Sequence, residues 1–101
     1  NAPKDYTAGG GTIRMYPTNA VAIDAGSKKI AKITVVCDSY SGTNYTAEGK
    51  GTCSPGTATL DGLTYTFSDI NAAKVTITNG NTGTGGATQM RIKTMTITFA
   101  K

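Results

Sequence analysis

The chain has 101 residues, enough for one domain with a two-layer core and too few for two. Charged residues make up 16% of it, against about a quarter in an ordinary soluble domain, while nineteen threonines and 13 glycines separate the apolar positions. Ten Lys and Arg against six Asp and Glu give a formal charge of +4, scattered apart from Lys28, Lys29 and Lys32, which reads as a solvated surface and not a nucleic-acid interface.

In chain order, residues 1–10 form a polar lead-in that runs into Gly9-Gly10-Gly11 and is expected to be flexible, with a single module over 11–101. Thr12-Ile13-Arg14-Met15-Tyr16 alternates as a first strand, with Ile13 and Met15 on one face and Arg14 and Tyr16 on the other, and Pro17 ends it. Val21 and Ile23 make a short second strand closed by Asp24-Ala25-Gly26-Ser27. Lys29 to Cys37 is the most apolar strand and is expected to be central.

The hexad Ile30-Ala31-Lys32-Ile33-Thr34-Val35 has a counterpart in Ile92-Lys93-Thr94-Met95-Thr96-Ile97. Each has a bulky apolar residue, two residues of slack and then apolar/Thr/apolar alternation, as in a half-buried strand with a bulge near its start. The two read as paired core strands. Thr57 to Phe67 reads as a hairpin turning at Asp61-Gly62, with Leu63, Tyr65 and Phe67 on one face. Residues 68–72 suit a single helical turn, Lys74 to Thr78 another strand, and Thr88 to Phe99 the last, after the Gly-rich loop 79–86. The pattern predicts about seven or eight strands with turn signals about every ten residues, the mark of an all-β, two-sheet antiparallel sandwich with jelly-roll-like crossing. The expected core is Ile33, Val35, Val75, Ile77, Met95, Ile97 and Phe99.

Cys37 and Cys53 flank fifteen residues rich in Gly, Ser, Thr and Tyr. A disulfide closing that loop contributes about 3 kcal/mol in the chain-entropy model, and it is the expected state in a chain that reads as secreted or cell-surface. Two free thiols, with Cys37 continuing the Ile33 and Val35 face, is the alternative.

Enzyme chemistry lacks its parts. Without His there is no imidazole base for a Ser or Cys nucleophile, and Asp38, Glu48, Asp61 and Asp69 lie in turns where carboxylates bond local backbone. No catalytic residue and no resident cofactor are expected. Calcium is the one ion that loop carboxylates at Asp5, Asp24, Asp38 and Asp69 could serve, although no ligand spacing supports it. Sugar binding needs aromatic faces for the C–H surface of a pyranose and polar groups for its hydroxyls. Tyr40 and Tyr45, with Asp38, Asn44 and Lys50, supply both in a stretch with no aliphatic residue. Tyr16 beside Arg14 is a second candidate. Against this stands the reading that the tyrosines cover the sandwich edge and that Asn44-Tyr45-Thr46 is an incidental sequon.

Gly11 to Tyr16, Lys29 to Val35 and Gln89 to Phe99 together resemble the accessory β-sandwich modules of secreted bacterial polysaccharide-degrading and surface proteins. The resemblance covers most of the chain and lies in core strand residues, although Trp, the usual stacking platform of binding modules, is absent. It implies a non-catalytic carbohydrate-binding module, linked to a catalytic domain, that anchors on a glycan of plant cell-wall type. It implies neither nucleic-acid binding nor membrane insertion. A structural or adhesive spacer with no small ligand is the alternative.

Overall fold

The computed structural model describes residues 4–6 and 12–100. Its strands are β1 Lys4–Tyr6, β2 Thr12–Met15, β3 Ala20–Asp24, β4 Ile30–Cys37, β5 Ser39–Tyr40, β6 Thr43–Asn44, β7 Gly51–Ser54, β8 Thr57–Asp61, β9 Thr64–Ser68, β10 Lys74–Asn79 and β11 Met90–Phe99. They form a six-stranded antiparallel sheet in the order β1-β2-β11-β4-β9-β8, a three-stranded sheet β3-β10-β7, and the separate hairpin β5-β6. The architecture is the all-β, sandwich-like one that the alternation in the sequence predicts.

The two hexads lie beside each other in the middle of the large sheet. Ile33 pairs with Ile97 and Val35 with Met95, and the register shifts between Ile92 and Thr94, so that Lys93 and Thr94 together oppose Val36. That bulge changes the phase of β11. Met90 and Ile92 before it and Met95 and Ile97 after it all reach the inner face, while Arg91, Lys93, Thr94 and Thr96 face out. Inner rows then run Ala58, Phe67, Ile33, Ile97 and Leu60, Tyr65, Val35, Met95 across four strands. The matching outer row is threonine throughout: Thr59, Thr66, Thr34 and Thr96. β-Branched hydroxyl side chains satisfy both strand propensity and water on that face.

Val21, Ile23, Val75 and Ile77 of the small sheet supply the opposing layer, with Val75 and Ile77 buried. At its end Asn79 pairs with Gly51. A Cβ on Gly51 would lie 2.5 Å from Met90 Cε and 2.8 Å from Tyr65 Cζ, so the large sheet fills the space that this glycine leaves. The buried Asn79 Nδ2 donates to the Met15 and Thr88 carbonyls, both at 2.9 Å, and its Oδ1 accepts Asn81 N–H. The loop 79–86, Gly-rich as it is, is ordered by these amides.

Several expectations are corrected. Cys37 and Cys53 are free thiols. Cys37 sits on β4 opposite Ile92, whereas Cys53 sits on β7 opposite Ile77 with its Sγ directed at the turn around Gly56, where a Cβ would come within 2.9 Å of it. Met95 and Ile97 are on the core face but only half-buried, and Phe99 is 43% exposed under the Lys28 ammonium, 5.2 Å from its ring centroid. A three-stranded layer is too narrow to cover the full length of β11. The β8-β9 turn is Gly62-Leu63, since Asp61 pairs with Thr64. Residues 68–72 form no helical turn: Asp69 and Asn71 take left-handed φ values of 57° and 46°, and Ile70 between them is buried. Within the expected lead-in, Lys4–Tyr6 pairs with β2 as an edge strand; residues 1–3 and 7–11 lie outside the described residues.

Ile77→Ala should lower stability by about 2–5 kcal/mol through lost burial and a residual cavity, and Phe99→Ala by less than about 1 kcal/mol, read from urea midpoints. Two thiols should titrate in the unreduced, unfolded chain, with half-exposed Cys53 the faster to react when folded. Burial pushes the Cys37 thiol up from 9.0 to about 12. Its contribution to stability is therefore complete below pH 9 and is lost as pH rises toward 12, because the unfolded thiol ionises first. Cys37→Val should flatten that alkaline decline; an unchanged decline would assign it elsewhere.

Candidate functional site

Between β4 and β7 the chain leaves the sandwich as a short hairpin. Ser41 and Gly42 have φ values of 53° and 80°, the paired positive angles of a two-residue type I′ turn, and Tyr40 pairs with Thr43 across it. Main-chain hydrogen bonds fix its base. Asp38 N–H donates to the Arg91 carbonyl at 2.8 Å, Tyr45 N–H to the Asp38 carbonyl at 3.0 Å, and Arg91 N–H to the Tyr45 carbonyl at 3.0 Å. Arg91 thus spends both backbone groups on the hairpin. The pairing continues through Thr46 opposite Met90 and through Ala47 N–H, which donates to the Gln89 carbonyl.

Four of the five residues expected at a ligand surface lie on this hairpin or at its base. Tyr40 is 71% exposed at the tip. Asn44 is exposed but pairs with Ser39, on the opposite face of the hairpin from Tyr40, and Asp38 lies at the base with Oδ1 accepting Ser39 N–H at 2.9 Å. Tyr45 has a different part from the one expected. The Arg91 guanidinium carbon lies 3.7 Å from its ring centroid, so one aromatic face is already occupied by a stacked cation. Lys50 is not part of the group. It lies beyond the tight turn Ala47–Gly49, and its carbonyl accepts Gly80 N–H at 2.9 Å.

That turn is left-handed through three successive residues, Ala47, Glu48 and Gly49, at φ 55°, 53° and 79°. For Ala and Glu this conformation costs about 1–2 kcal/mol each, so the surroundings must impose it. Asn81 Nδ2 donates to the Ala47 carbonyl at 3.1 Å and to Glu48 Oε1 at 2.9 Å, and the buried Tyr65 hydroxyl donates to the Thr46 carbonyl while accepting Gly51 N–H. Burial raises the Tyr65 pKa, the Gly51 N–H lowers it and the nearby Cys37 raises it, leaving a net upward shift that keeps this phenol a donor. These bonds set where segment 45–50 meets β11, and hence where Tyr45 meets Arg91.

Arg91 was not among the expected site residues. Its signal is present in the alternation: Met90 and Ile92 face inward, so Gln89 and Arg91 must share the outer face. Arg91 Nε in fact donates to Gln89 Oε1 at 3.1 Å. Across the sheet Arg91 pairs with Arg14, which joins the second candidate surface of the sequence reading to the first. Among the described residues, no three His, Cys, Asp or Glu side chains gather as metal ligands. Asp24 Oδ1 accepts Gly26 N–H in its turn and Asp38 serves Ser39, so these two carboxylates have local uses.

No protein-family model, curated protein or solved structure matches this chain.

Asn81→Ala removes the amide that holds the left-handed turn, leaves Gly83 N–H without its acceptor and leaves the Ala47 carbonyl with only Lys50 N–H. The expected loss is about 2 kcal/mol, with amide exchange accelerated first in residues 45–50. Uniform acceleration across both sheets would show that the turn is not a separate unit.

Proposed function

We propose that this chain is a non-catalytic carbohydrate-binding module that anchors a linked secreted enzyme to polysaccharide, with the β5-β6 hairpin as its contact surface. The observation that carries this reading is Tyr40, a large aromatic 71% exposed on a two-residue hairpin whose base is bonded to the sheet. A tyrosine presented on fixed backbone offers a flat apolar face with few rotors to immobilise, which lowers the entropy cost of stacking on a sugar. Asp38, two residues before it and on the same face by alternation, supplies an acceptor for hydroxyls. The resemblance of the core strands to accessory modules of polysaccharide-degrading proteins supports the same reading. Its mechanism is proximity: holding the chain on polysaccharide raises the effective substrate concentration for whatever catalytic domain is attached.

Contact through one aromatic and a few polar groups gives weak binding, with dissociation constants between about 1 μM and about 1 mM. Calorimetry and affinity electrophoresis against xylan, glucan, mannan and pectin should detect a ligand, and Tyr40→Ala should weaken it about tenfold while the melting temperature holds. Unchanged binding by folded Tyr40→Ala would move the site elsewhere. Absence of binding by the parent to any of the four would favour a structural or adhesive spacer.

A further inference from the structure

We infer that the glycan taken by this surface is acidic, and that Arg91 is the group that recognises its carboxylate. This rests on the carbohydrate-binding reading and adds the ligand's chemical class to it. The cations that look scattered in the sequence are gathered by the fold. Arg14 and Arg91 are directly opposite on β2 and β11, and Lys93, two residues along β11 from Arg91, shares their outer face.

Arg91 is also positioned as a receptor would be. Its guanidinium plane is fixed on one face by the Tyr45 ring at 3.7 Å and along one edge by the Nε bond to Gln89 at 3.1 Å. Those contacts leave its terminal amino groups with no acceptor among the described residues. Lys74 pairs with Asp24 at 3.9 Å, and neither Arg91 nor Lys93 forms an ion pair among the described residues. A guanidinium held in plane with its fork open is the geometry for bidentate capture of a carboxylate, and prior ordering removes part of the entropy cost. Tyr40, on the hairpin whose base is bonded to Arg91, supplies the pyranose platform that a uronic acid polymer uses ring after ring. A nucleic acid fits less well: a duplex binder draws its affinity from about 6–10 phosphate contacts, and this patch gathers few cations around one aromatic tip.

The test compares the whole chain and Arg91→Lys by calorimetry on polygalacturonate, carboxyl-reduced polygalacturonate, xylan, mannan and a DNA duplex. Expected are binding to polygalacturonate and loss of about tenfold on carboxyl reduction. Arg91→Lys, which keeps the charge but loses the fork, should lose a similar factor. Affinity should also fall between about 0.1 M and about 1 M salt, where the Debye length shrinks from about 10 Å to about 3 Å. Equal binding of the native and carboxyl-reduced polymers overturns the acidic assignment and leaves the carbohydrate reading standing, and this arm does not depend on any variant folding. Binding of the duplex more tightly than of any glycan overturns the assignment in favour of nucleic acid. Failure to bind any polysaccharide overturns both readings together.

Discussion

Antiparallel pairing of β4 with β11 is the constraint on which the rest of this molecule depends. Strand faces alternate, so a slip of one residue moves every side chain to the wrong side of the sheet. In β11 the apolar residues change phase partway, even-numbered at Met90 and Ile92 and odd-numbered at Met95 and Ile97. A regular strand could bury only one of those pairs. The extra residue opposite Val36 lets it present both, and it leaves Thr94 beside Lys93 on the outer surface. Burial of both apolar pairs of β11 is therefore set by one local feature.

A second layer of control comes from buried amides. Asn79 and Asn81 at the end of the small sheet satisfy carbonyls of β2, of the loop before β11 and of the left-handed turn. Leaving such groups unpaired in the interior costs about 1–3 kcal/mol each, so these side chains fix the relative placement of segments that share little apolar surface. Asn19, itself buried, accepts Tyr16 N–H and extends the arrangement to the β2-β3 connection. The polar residues here do structural work that aliphatic packing does elsewhere in the sandwich. They also explain how a loop with six glycines and asparagines in a row of eight can hold a defined course.

Much of the fold was legible because it is written in alternation. The paired hexads, the bulge, the strand at Lys74 and the inward faces of Tyr65 and Phe67 all follow from period-two patterning. The misreadings share a cause: they concern facts that no strand carries alone. The exposure of Phe99 depends on the width of the opposing sheet. Whether Cys37 meets Cys53 depends on which sheet each occupies and on where its Sγ points. Asp61-Gly62 was displaced by one residue as the turn because inner-face packing of Leu60 against Tyr65 outweighs the preference of Asp-Gly for the turn centre. At the candidate site the tyrosine hairpin was visible as an aliphatic-free stretch, while the pairing of Tyr45 with Arg91 was not, since it joins distant parts of the chain. Lys50 was grouped with the hairpin on sequence nearness, and the left-handed turn separates them.

The manner in which the hairpin is attached bears on how such a surface could change over generations. Its base is secured by three main-chain hydrogen bonds, and those bonds are indifferent to the side chains at 38, 45 and 91. The tip turn asks only for two residues tolerant of positive φ. Side chains at 39, 40, 43 and 44 are free of any core role, so they can vary without disturbing the sandwich or its folding. A chain organised in this way separates inheritance of the scaffold from diversification of what it touches, and a new ligand preference could arise through single substitutions at the tip with little loss of stability.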